Sequence, residues 1–158
     1  MKGLFGIGTV LGLTVFDLAV KSEIEQKLNL GEERTISNTN VVVRNVHNEG
    51  LCLGTCRKNP KFVKISSLVV TGILSIYHLI SLRQKREIMK KIGISFVLGG
   101  AWSNTIDRWV HGYVVDYIGF SMKNEKISRI TYNLGDFFIM IGSIILLFRE
   151  LFKKQEGL

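Results

Sequence analysis

Four long apolar blocks constrain this chain more than any other feature. Leu4 to Val20 is uncharged except for Asp17, and Ile65 to Leu82 carries no formal charge. Ile92 to Ile106 is uncharged and ends at Asp107-Arg108, and Ile130 to Phe148 holds one charge, Asp136. A membrane-spanning helix needs about 20 mostly apolar residues. The blocks therefore predict an all-α membrane protein with four transmembrane helices, over roughly 4–20, 62–82, 92–109 and 130–149. The first and third are short unless their polar ends are included. The whole of 1–158 reads as a single integral membrane domain.

Charge supports this reading. The formal net charge is +8, yet mean hydropathy is positive, at +0.23. A nucleic-acid binder of that charge would carry its apolar residues in periodic patterns rather than blocks, so no nucleic-acid partner is expected. The first block has one basic residue before it and no small-x-small site near its end, so it reads as a retained helix, not a cleaved leader. Basic residues crowd the 83–91 link and the C-terminal tail. Acidic residues dilute those of the 22–64 link. The positive-inside rule then places both termini and the 83–91 link in the cytoplasm, and the 22–64 and 109–131 links outside.

The outward segment, approximately 22–61, contains Val41-Val42-Val43 between turn formers, which predicts a short strand or two between the first and second spans. Asn48-Glu49-Gly50 reads as a turn. Cys52 and Cys56 make a weak metal signal with His47, because a structural zinc site wants four ligands. They read as loop residues, with a disulfide open. No metal and no cofactor is expected. His47, His78 and His111 are scattered.

Ionisable residues inside apolar blocks are expensive, so each is a functional candidate. Asp17, Asp107, Asp116 and Asp136 all fall toward the outward ends of their blocks. A transporter wants such groups near the midplane; a hydrolase acting at the outer face wants them where water reaches. Asp17 and Lys21 are i and i+4, on one helix face. Arg108 can fold back toward Asn104. These groups either anchor helix ends or touch substrate. Asp116, in "YVVDYI", and Asp136, in "NLGDFF", have no base nearby in sequence. Two facing carboxyls share a proton, so that one takes a proton from water while the other polarises a carbonyl. Counting Asp136 from Ile130 puts it about 9 Å into its helix.

"GGAWSNTIDRWVHGYVVDYIGF", Gly99 to Phe120, resembles the G-G-A-x-x-N-x-I-D-R-x-x-x-G-x-V-V-D-F motif of the lipoprotein signal peptidases, signal peptidase II. "YNLGDFF", "FDLAVK" and "HNEGLCLG" resemble the family's other motifs, in matching order from residue 16 to about 138. The resemblance implies a four-span aspartic endopeptidase of the bacterial inner membrane. It implies diacylglyceryl-modified prolipoproteins as substrates, cut just before the lipidated cysteine. Membrane lipids would be the other partners, and one chain holds every catalytic part, so a monomer suffices. It makes Asp116 and Asp136 the catalytic pair. Asn48, Gly50, Asn104, Asp107, Arg108, Asn133, Asp17 and Lys21 match positions that shape or support the site.

The chain departs from the motifs at Leu51-Cys52, at Trp102-Ser103 and at Gly135, where the family has Ala. Gly135 removes bulk beside Asp136 and predicts a looser carboxylate. Gly112 supplies the backbone freedom to turn Asp116 back toward the site. Trp102, Trp109, Tyr113, Tyr117 and Tyr132 fit an interfacial aromatic belt. A G-x-G-D intramembrane protease is a poor match, since Asn133 stands where its first Gly belongs. A small proton-coupled transporter or a non-enzymatic membrane subunit remains the alternative, with the aspartates as helix anchors.

Overall fold

The computed structural model describes residues 2–51, 55–84 and 87–155. Four long helices form the body: α1 (Lys2–Lys27), α2 (Pro60–Arg83), α3 (Ile88–Val110) and α5 (Leu134–Gln155), with the one-turn α4 at Glu125–Ser128. The sheet has four antiparallel strands in sequential order, β1 (Glu33–Thr35), β2 (Val41–Asn48), β3 (Val114–Phe120) and β4 (Thr131–Tyr132). Half of that sheet comes from the 109–131 link, which corrects the expectation of a β segment confined between the first two long helices. The last strand of each link feeds a helix, so the C-termini of α1 and α3 and the N-termini of α2 and α5 all gather at the sheet end.

Helix bounds also differ from the apolar blocks. α1 continues to Lys27 on a charged surface turn, where Lys27 pairs with Glu23. α5 starts at Leu134, so Asp136 lies in its first turn rather than deep along it. Two helices, α1 over Phe5–Lys27 and α2, are by themselves long and apolar enough to cross a membrane. α3 is the central helix and packs against α1, α2 and α5. Being shielded by the other three, it needs no uniformly apolar surface. Its buried face carries Ser95, Gly99, Gly100, Ser103, Asn104 and Asp107.

Small residues set the α3–α5 crossing. A Cβ on Gly93 would fall within 2.9 Å of Leu146, and one on Gly100 would collide with the carbonyl oxygen of Gly135. Backbones that approach this closely gain van der Waals contact that larger residues forbid. Gly135 therefore leaves no slack beside Asp136: a Cβ there would meet Asp17 Oδ2 at 2.8 Å and Asn133 Oδ1 at 2.9 Å. The expected loosening does not occur, because the missing methyl is the space through which the helices touch.

α1 is fastened to α3 by a buried ammonium. Lys21 Nζ lies 2.8 Å from Asp17 Oδ2 and 3.0 Å from Asp107 Oδ2. It also donates to Asn104 Oδ1 at 2.8 Å and Ser103 Oγ at 3.0 Å. Asp17, Lys21 and Asp107 are at most 2% exposed. Breaking one member of such a set strands the others without water.

Two outcomes test this packing. Gly100→Ala should destabilise the protein by about 1–3 kcal/mol, as overpacking does, and lower its melting temperature in detergent. Gly8→Ala, in the interior of α1 where a Cβ meets nothing within 4 Å, should not lower that temperature and should raise it slightly through helix propensity. Lys21→Met should cost about 3–5 kcal/mol, the penalty for isolating buried carboxylates. A melting curve within a degree of wild type would exclude the fastening role.

Candidate active site

Asp116 and Asp136 come from different elements and meet through one asparagine. Asn133 precedes α5, and its side-chain Oδ1 accepts from Asp136 N at 2.9 Å while Asn133 N donates to Asp136 Oδ2 at 3.2 Å. This is a reciprocal helix cap, with Asn in place of Ser or Thr and Asp in place of Glu. The same residue's Nδ2 donates to Asp116 Oδ1 at 2.7 Å. Asn133 is fully buried, so one residue holds both carboxyl groups, that of Asp116 through its side-chain amide and that of Asp136 through its backbone N–H.

Each carboxyl group has a second amide donor. Asn104 Nδ2 donates to Asp136 Oδ1 at 3.0 Å, and Asn48 Nδ2 donates to Asp116 Oδ2 at 3.0 Å. The reach of Asn48 depends on a register irregularity. Val43 pairs with Ile118 but Val46 pairs with Asp116, so β2 spends one extra residue between them. A bulge of this kind switches the faces on which side chains emerge. Before it, Val42 lies opposite Gly119, on the buried face shared with Tyr117. After it, Asn48 lies opposite Val114, on the face of Asp116. Without the extra residue Asn48 would point away.

The strand's other face does structural work. Tyr117 OH donates to Asp17 Oδ1 at 2.9 Å and accepts from Leu134 N at 3.1 Å. Tyr117 is buried and is no part of an aromatic belt, because its hydroxyl replaces water for a buried carboxylate. Tyr113 also departs from the belt: it stacks on His47 at 3.7 Å and donates to Glu25 Oε1 at 3.0 Å. Trp109 is half-exposed beneath Lys64, whose Nζ sits 4.5 Å from the ring centroid.

The structure gathers the other sequence candidates around this centre. Arg108 Nη1 donates to Asn104 O at 3.1 Å and Nη2 to Gly50 O at 2.9 Å. Gly50 N in turn donates to Asn48 Oδ1 at 3.0 Å, closing the expected turn. Asp107 accepts from Val115 N at 3.4 Å. Asp17 and Lys21 stand behind the carboxyl pair, linked to it through Asn104. Gly112 has a φ of +87°, the left-handed turn that Gly tolerates. Cys56 is exposed, and Cys52 lies outside the described residues, as does any pairing between them.

Two residues escaped the sequence reading. Ser103 donates to Asp17 Oδ2 at 2.6 Å. Its signal was its position four residues before Asp107, on the same helix face. Tyr117 could have been read from the alternation of β3, which sends neighbours of Asp116 to the opposite face.

Asp116 and Asp136 both line a cavity of about 810 Å³, walled by Phe62, Val70, Phe137, Ile139 and Met140 among others. Asp116 is 4% exposed. Burial pushes its carboxyl up to about 7, and the charge of Asp136 pushes the same way. Hydrogen bonds from Asn48 and Asn133 and the charge of Lys21 pull against that rise. A carboxyl poised there can hold or release a proton near neutral pH. Among the described residues no group of three or more His, Cys, Asp or Glu is placed to hold a metal ion.

The family model for signal peptidase (SPase) II matches residues 9–152. The lipoprotein signal peptidase of Caldanaerobacter subterraneus subsp. tengcongensis is 36% identical over 108 residues, covering 68% of this chain and 69% of that protein. That of Clostridium novyi is 30% identical over 144 residues, covering 90% and 93%. A solved bacterial membrane enzyme shares the fold with a TM-score of 0.82 at 21% identity, covering 96% of this chain and 90% of that one. The chain is a member of the signal peptidase II family of aspartic peptidases.

Proposed function

We propose that this chain removes the signal peptide from diacylglyceryl-modified prolipoproteins, cutting just before the lipidated cysteine, with Asp116 and Asp136 as the catalytic pair. One observation carries the reading: two carboxyl groups from separate elements, held by a single buried asparagine at the wall of a large apolar cavity. The apolar walls suit a hydrophobic signal peptide and acyl chains. The carboxyl pair suits the peptide bond.

The pair carries one proton. The ionised carboxylate takes a proton from water as its oxygen attacks the scissile carbonyl, and the protonated one donates to the carbonyl oxygen. The tetrahedral intermediate then collapses. The C–N bond breaks, the amine of the cysteine takes the proton gained from water, and the other carboxyl recovers its own. Asn48, Asn104 and Asn133 keep both carboxyl groups in place throughout, as pre-organised sites require. Arg108 lines the cavity, and its Nε has no partner among the described residues. It is a donor free to take a substrate backbone carbonyl. Asp107, Asp17, Lys21 and Gly50 act at one remove.

α1, α2, α3 and α5 are the spans in this reading, with the sheet on the outer face and both termini in the cytoplasm. The exposed apolar surface of α5, including Ile144, Leu147 and Phe148, supports a lipid-facing helix. The carboxyl pair sits at the sheet end, not midway along the helices, which disfavours the transporter alternative. A single chain supplies both carboxyl groups, so the working unit is a monomer in the inner membrane.

Cleavage of a diacylglyceryl-modified precursor in detergent is the direct test. Asp116→Asn and Asp136→Asn should fold and lose activity at least 100-fold, the lower range for an acid–base group. Retention of near-normal activity by either variant removes that residue from the pair.

Two pH effects follow from Asp116. Its rate contribution should decline as pH rises through about 7, where the shared proton leaves. Asn48→Ala removes a bond that lowers the carboxyl, so the decline should move to higher pH. For stability the sign is fixed by proton binding. A carboxyl raised above its unfolded value makes the folded state bind more protons, so stability is lost as pH rises from about 4 to about 7. Asp116→Asn escapes that loss and should gain melting temperature over wild type at about pH 8, but not at about pH 4.

A further inference from the structure

Asp116 stands in the wall between two cavities of opposite chemistry. The apolar cavity lies on one side. On the other is a smaller one of about 250 Å³, lined by His47, Glu49, Arg57, Arg129 and Thr131. Asn48, Asp116 and Thr131 line both. The Thr131 hydroxyl oxygen is buried and has no hydrogen-bond partner among the described residues. A buried hydroxyl without a partner loses free energy unless something arrives to satisfy it.

The substrate has the same division, given the proposed peptidase activity on which this argument rests. Before the scissile bond comes an apolar segment; after it comes a polar chain leaving for water. The apolar cavity suits the first half better than the second, since its surface is mainly apolar and offers few partners to a polar chain. The smaller cavity begins at the reacting carboxyl and is lined mostly by polar and charged residues, with Val46 and Ile130 as the apolar ones. Its cations are lightly engaged. Arg57 pairs with Glu49 at 3.1 Å and Arg129 with Glu125 at 3.7 Å, all on exposed side chains. Such pairs are weak and exchangeable. His47 is already bonded to Glu25 Oε1 at 3.0 Å. Setting the reacting Asp116 aside, the lining carries two arginines against one glutamate.

We infer that this polar cavity binds the first residues of the mature lipoprotein chain, those just after the lipidated cysteine, and that Arg57 and Arg129 favour acidic side chains there over basic ones. The Thr131 hydroxyl bonds the substrate backbone where the two cavities meet.

The test compares diacylglyceryl precursors carrying Asp-Asp, Ser-Ser or Lys-Lys directly after the cysteine, in neutral detergent. Wild type should cleave Asp-Asp over Lys-Lys with a kcat/KM ratio of roughly 3 to 10, the range of two exposed ion pairs. The ratio should shrink toward one as salt rises from about 0.05 M to about 0.5 M, because these charges are screened. In Arg57→Glu/Arg129→Glu the preference should reverse. The ratio is taken within one enzyme, so a partly folded variant does not distort it, and the salt series needs no variant. A wild-type ratio of one at low salt, or the same ratio in the double variant, overturns the inference while leaving the peptidase reading intact. If wild type cleaves none of the three precursors, the peptidase reading falls and this one falls with it.

Discussion

The ammonium of Lys21 is the interaction on which the rest of the structure depends. It is a full charge removed from water, and its surroundings answer it at hydrogen-bond distance. Asp17 and Asp107 contribute two carboxylates against the one ammonium. The surplus negative charge is met by neutral donors: Tyr117 and Ser103 on Asp17, and the Val115 amide on Asp107. A fully satisfied network of this kind rigidifies its neighbours, whereas a half-satisfied one would be worse than an apolar core. The members come from α1, α3 and β3, and Tyr117 extends the network to the first turn of α5. The helix bundle and the sheet are thereby locked into one register.

That network separates structural charge from reactive charge. The lysine serves Asp17 and Asp107 at contact distance. The proposed catalytic carboxyl groups receive amides instead, from Asn48, Asn104 and Asn133. A cation against either one would hold it ionised and empty the pair of its proton. An amide fixes position while leaving the proton's free energy near balance. Asn104 joins the two zones, with its oxygen facing Lys21 and its nitrogen facing Asp136. Position is transmitted through it without a direct contact between Lys21 and Asp136.

The sequence showed the helices well, since apolar blocks of this length have few alternatives. It also showed the i, i+4 pair of Asp17 and Lys21, the return of Arg108 to Asn104, and the turn at Gly112, because each is local. What it concealed was nonlocal. The sheet joins residues about seventy positions apart, and nothing near Asn48 announces a bulge that turns it toward Asp116. The 114–120 stretch has β-branched and aromatic residues enough for a strand, but its pairing partner cannot be read from it. Gly135 was misread for the same reason. Its missing methyl looks like lost bulk along the chain and is a helix contact across it.

The junction of bundle and sheet is the place that suits the proposed chemistry. Midway along the apolar helices a carboxyl pair would have no water. On the sheet alone it would have water but no low-dielectric wall to keep a proton on one member. At the junction, α5 begins beneath β3, and its cap at Asn133 presents Asp136 to a strand residue. Helix starts leave backbone donors unfilled, and strands present side chains on alternate faces. Combining them gives two carboxyl groups that are held by backbone geometry as well as by side chains. The apolar cavity on one side and the polar one on the other are the consequence of that placement, and Asp116 divides them because it lies on the last layer that both environments share.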